Sequence, residues 1–91
     1  MLCRTGYRRP DYADALNDLG VLRVRQGQYS EAQQSFETCI KVAPKFDQAY
    51  LNLARLYVLL KEPDKSKEIL RELLRQQPEN KLAQQTLEML N

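Results

Sequence analysis

Pro10, Pro44 and Pro78 stand 34 residues apart in each interval. A fixed beat of this length says that one small supersecondary unit is repeated, rather than one core being wrapped once by the whole chain. Proline gives the beat a structural meaning. Its ring cannot donate a backbone hydrogen bond and disfavours a helical residue before it, so these prolines read as boundaries between units. At 91 residues the chain has room for a single domain built of such units.

Between the prolines the apolar residues recur at helical spacing. Leu16, Leu19, Gly20 and Arg23 share one face, as do Tyr50, Leu53, Ala54 and Tyr57, because steps of three, four and seven fall on one stripe of a helix. Asp11 is placed to cap the first helix with its carboxylate. Gly27 can end that helix by taking the left-handed conformation. The next helix is expected from about Tyr29, with Ala32, Phe36, Cys39 and Ile40 on its buried stripe and Pro44 as its stop. The second unit follows the same plan, with helices from about Lys45 to Leu60 and from about Pro63 to Gln76. Pro63 suits a first helical position, where its missing N–H is no loss. After Pro78, Asn80 can cap a last helix that turns Ala83, Leu87 and Leu90 inward. Turns this short make the five helices antiparallel neighbours.

Charge and chemistry narrow the function. The net charge of +2 is local: Arg4, Arg8 and Arg9 lie in the first ten residues, and the repeat body that follows is nearly neutral. It lacks the concentrated positive face that phosphate binding requires, which argues against nucleic acid. No apolar run is long enough for a signal peptide or a bilayer span, so the expectation is a cytoplasmic chain without a membrane partner. There is no histidine, and Cys3 and Cys39 have no metal-ligand spacing. Cys39 reads as a small buried hydrophobe, and Cys3, in an arm expected to be flexible, is a poor partner for a disulfide. Ser30, Ser35 and Ser66 lack an activating elbow, and the three glycines are too scattered to cradle a phosphate. The reading is of no enzyme, no catalytic residue, no metal and no cofactor.

Leu16-x2-Leu19-Gly20-x2-Arg23, Ala32-x3-Phe36 and Pro44 in the first unit, with Tyr50-x2-Leu53-Ala54-x2-Tyr57, Ser66-x3-Leu70 and Pro78 in the second, resemble the tetratricopeptide repeat. The resemblance covers residues 11–90 and implies an all-α, right-handed α-solenoid of antiparallel helix pairs, two repeat units plus a C-terminal capping helix. It divides the chain into a basic arm over residues 1–10, a first unit over 11–44, a second over 45–78 and the cap over 79–91. Gly20, Ala54, Ala32 and Ser66 fall where helices cross, so small side chains there let the backbones approach. Two departures stand out. Arg23 occupies the usual tyrosine position, where its stem must run along the core with its head in water. Lys61 occupies the turn position of Gly27, which implies either a left-handed lysine or a different turn. Repeat arrays generally need about three units, so the expectation is a fragment of a longer array, self-association, or an unusually good core.

In this family the first helices of successive units line a concave groove that holds an extended peptide or a partner helix. By that analogy the groove carries Asn17, Val21, Val24 and Arg25 from the first unit. Leu51, Asn52, Arg55, Val58 and Leu59 come from the second, and Leu82, Gln85, Thr86 and Met89 from the cap. The implied function is a scaffold for protein–protein contacts that captures a protein or peptide, with Leu51→Asp expected to abolish binding and leave the fold intact. The rival reading is a self-associating or spacer module, a homo-oligomer whose groove is filled by another copy. One family mode clamps a chaperone's terminal carboxylate with two lysines, two asparagines and an arginine. Only Asn52 matches that set, so a chaperone co-factor role is disfavoured.

Overall fold

The computed structural model describes residues 10–90. Within them the chain forms five helices: α1 Pro10–Arg25, α2 Tyr29–Val42, α3 Asp47–Leu59, α4 Pro63–Gln76 and α5 Lys81–Leu90. Among the described residues there is no strand. Helices α1 and α2 pack as one antiparallel pair and α3 and α4 as another. Contacts of α2 with α3 join the pairs, and α5 closes on α4.

Both intra-pair turns have the same design. In the first, Gln28 N–H donates to the Arg23 carbonyl at 2.8 Å and Gly27 N–H to the Val24 carbonyl at 3.0 Å. In the second, Glu62 N–H donates to the Tyr57 carbonyl at 2.8 Å and Lys61 N–H to the Val58 carbonyl at 3.0 Å. These paired bonds form the Schellman motif, which needs a left-handed residue at its corner. Gly27 supplies it with φ 78°, and Lys61 supplies it with φ 63°. The alternative of a different turn at Lys61 is therefore ruled out.

Pro44 and Pro78 lie in the turns that follow α2 and α4, and side chains tie these turns together. Tyr50 Oη donates to the Pro44 carbonyl at 2.8 Å and accepts from Gln76 Nε2 at 2.9 Å. Gln77 Nε2 reaches the Lys45 carbonyl at 3.0 Å, and Asn80 Nδ2 reaches Asp47 Oδ2 at 3.1 Å. Asn80 also caps α5, its Oδ1 accepting from Ala83 N–H at 3.0 Å. Thus the turn after Pro78 is bound to the turn after Pro44, which fixes α5 against the second pair. The expected cap at Asp11 is corrected: α1 already includes Asp11.

The core runs along the stack. Phe36, Leu53, Leu56, Tyr57 and Ala32 form one cluster, and Tyr50, Leu51, Ala54, Leu70, Leu73 and Ala83 another. A third holds Ala13, Cys39 and Ala49, and Ile40 packs against all three. Gly20 is buried at the α1–α2 crossing, where the Phe36 ring lies against its backbone. Ser66 stands at the corresponding crossing of α3 and α4. Fully buried, it donates its hydroxyl to the Ala54 carbonyl at 2.8 Å. The first pair differs at the end of the stack. Leu19 shares a helical face with Leu16 and Gly20 but is 38% exposed, whereas Leu53, its counterpart in the second pair, is 1% exposed. The reason is positional: α2 covers Leu53, and no described element covers the same face of α1.

Candidate partner-binding groove

Helices α1, α3 and α5 present side chains to a common face with two adjoining cavities. The larger, of about 640 Å³, lies between α3 and α5 and is lined by Arg55, Val58, Leu59, Leu82, Met89 and Leu90, with Ala54 and Thr86. The smaller, of about 240 Å³, lies between α1 and α3 and is lined by Val21, Val24, Arg25, Asn52, Arg55 and Leu59, with Phe36 and Leu56 behind them. Arg55 and Leu59 belong to both. They sit on the ridge that α3 raises between its two flanking grooves.

Ten of the thirteen residues expected at this site therefore line a cavity: Val21, Val24, Arg25, Asn52, Arg55, Val58, Leu59, Leu82, Thr86 and Met89. Gln85, Leu51 and Asn17 do not. Leu51 is 7% exposed and packs with Tyr50, Ala54, Leu70, Leu73 and Ala83, so it belongs to the core. Leu51→Asp would bury a carboxylate among apolar side chains and unfold the second pair, so it cannot report on binding. Asn17 is also 7% exposed, and its Oδ1 accepts from Asn52 Nδ2 at 2.9 Å. That bond ties α1 to α3 beneath the groove, leaving Asn17 a structural part. Ala54 and Leu90, absent from the expected lining, are also in the larger cavity. Ala54, expected at a helix crossing, and Leu90, expected to turn inward, both lie where the core stripe meets the groove.

The two arginines of the groove differ from Arg23 and Arg75 in their partners. Arg23 pairs with Glu31 at 3.4 Å and donates to Gln28 Oε1 at 2.7 Å, which explains how a guanidinium replaces the usual tyrosine. Arg75 pairs with Glu72 at 2.6 Å. Arg25 and Arg55 make no ion pair with any described residue. No Asp or Glu lines either cavity. The groove is thus an apolar surface with cationic heads set into it.

Cys39, the other chemically notable group, is withdrawn from this face. It is fully buried and donates its thiol to the Ala13 carbonyl at 3.2 Å. Burial, with the Asp14 charge adding to it, pushes its pKa up to about 11. At neutral pH it is a protonated packing residue, since nucleophilic and metal-binding cysteine is thiolate. Cys3, expected to form no disulfide with it, lies outside the described residues. Among the described residues, no three acidic, cysteine or histidine side chains gather to hold a metal ion.

The family model of the tetratricopeptide repeat matches residues 23–90, about three quarters of the chain. The chain belongs to the tetratricopeptide repeat family. The fold is accordingly a helical solenoid of helix pairs, and repeats of this family generally mediate protein–protein interactions. No curated protein matches the chain. No described helix is long and apolar enough to cross a membrane.

Proposed function

We propose that the face made by α1, α3 and α5 captures a peptide or helix of another protein. One observation carries this reading: large apolar side chains stay exposed around two adjoining cavities instead of joining the core. Val58 is 44% exposed, Leu59 56%, Leu82 48% and Met89 83%. Contiguous exposed apolar surface rimmed by polar groups marks an interaction site more often than an accident of packing. The fold does not need these residues to close its helix pairs, so they are free to serve a partner.

Val58→Asp tests the reading, because Val58 lines the larger cavity without entering any core cluster. Partner capture from an extract should be lost, with helical circular dichroism and melting temperature unchanged. Undiminished capture by a folded Val58→Asp protein would remove this face from consideration. The outer face of α1 supports a second reading. Leu16 is half-buried and Leu19 exposed, while the matching Tyr50 and Leu53 are buried, Leu53 against Ala32 and Phe36 of the neighbouring pair. A second copy seated there would make the module self-associating. Sedimentation equilibrium distinguishes this: a dimer that persists in Val58→Asp and dissociates in Leu19→Glu supports it.

A further inference from the structure

The geometry points to an occupant of one chemical kind: an amphipathic helix from another protein, carrying two apolar residues seven apart with a carboxylate between them. This rests on the proposed binding role of the groove and adds what the groove selects.

The carboxylate follows from Arg55. Its position is shared by both cavities, so whatever fills them passes its guanidinium. The residues one helical turn away are Leu51, Asn52, Val58 and Leu59, none of which can neutralise it. Arg25 has Val21, Leu22, Gln28 and Tyr29 at the same offsets. By contrast, Arg75 and Lys65 have Glu72 and Glu62 one turn before them and pair with them. The acidic residue nearest in register is Asp18, the α1 counterpart of Asn52, and it lines neither cavity and joins no ion pair among the described residues. A carboxylate arriving with apolar neighbours would meet an exposed guanidinium at Arg55 and be held in bidentate fashion.

The spacing follows from helix packing. The two cavities flank α3 on opposite sides and so lie one helix diameter apart, about 10–12 Å. Along a helix, residues seven apart lie on one face with a rise of about 10.5 Å. A side chain three or four places along falls midway, opposite Arg55. An extended strand repeats the same face about every 6.7 Å, which fits this separation poorly. The unequal cavities, about 640 and 240 Å³, call for one bulky apolar residue and one smaller.

Selection from a random library of short linear peptides tests this directly, with wild type, Arg55→Gln and Val58→Asp as baits. Arg55 is exposed, so Arg55→Gln should fold, and circular dichroism checks that it does. Wild type should enrich apolar residues seven apart with Asp or Glu three or four places after the first. Arg55→Gln should keep the apolar pair and lose the acidic preference. A selected peptide with its carboxylate changed to the amide should bind wild type roughly fivefold more weakly and Arg55→Gln unchanged, the size expected of a solvent-accessible ion pair. Peptides without the acidic position, or with an acidic preference that survives Arg55→Gln, would overturn the charge inference and leave the groove reading standing. Enrichment at two-residue spacing would overturn the helix. Enrichment absent, or undiminished with Val58→Asp, would overturn both the inference and the groove reading beneath it.

Discussion

A Cβ added to Gly20 would stand 2.7 Å from Cδ1 and Cζ of Phe36 and nearer still to Cε1. The ring cannot retreat freely, because Phe36 is 1% exposed and packed with Ala32, Leu53, Leu56 and Tyr57. Two effects therefore oppose each other in Gly20→Ala. Alanine favours the helix by about 1 kcal/mol, while overpacking a crossing costs about 1–3 kcal/mol. Packing should win. Gly20→Ala is expected to lower stability by about 1 kcal/mol in urea unfolding, and Gly20→Leu to abolish the cooperative transition of the first pair. A stabilised Gly20→Ala would mean that Phe36 has room to move. Ser66 shows a different limit at the second crossing. Its small size was legible from the spacing, but its hydrogen bond to Ala54 depends on where the α3 backbone exposes a carbonyl, which only packing decides.

Lys61 brings the same contest to the scale of the helix–turn–helix element. Its left-handed φ of 63° closes the turn that Gly27 closes in the first pair. For a residue with a side chain this conformation costs about 1–2 kcal/mol, offset in part by the flexibility that glycine would bring to the unfolded chain. Lys61→Gly keeps the N–H that bonds to Val58 and should stabilise the protein by about 0.5–1 kcal/mol, read as a melting temperature several degrees higher. An unchanged or lower melting temperature would mean that the lysine side chain itself holds the turn. Element boundaries were legible because proline and glycine act locally: Pro63–Gln76 is the span read from the chain, and α2 stops just before Pro44. The groove was legible only in part. Leu51 and Asn17 sit on the flank between core stripe and groove, where helical spacing allows either side. What decides them is how closely their neighbours approach. Fully buried Ala83 joins the cluster that covers Leu51, and Asn52 bonds over Asn17.

Across the whole molecule, equal positions in the repeat do not have equal surroundings. Leu19 and Leu53 hold the same place in their pairs, yet one is 38% exposed and the other 1%. Stability in a stacked array is close to a sum of unit and neighbour-interface contributions, so a residue counts for what lies on both sides of it. Leu53 packs with Phe36 of the preceding pair and with Leu56 and Tyr57 of its own. Leu53→Ala should therefore open a cavity and cost about 2–5 kcal/mol. Leu19→Ala removes a half-solvated side chain and should stay within about 0.5 kcal/mol. Urea unfolding of the two variants at low protein concentration measures the difference. Equal costs would show that α1's outer face is covered in solution. Raising the concentration then identifies the cover: a Leu19→Ala penalty that grows with concentration belongs to a second copy, and one that stays fixed belongs to the same chain.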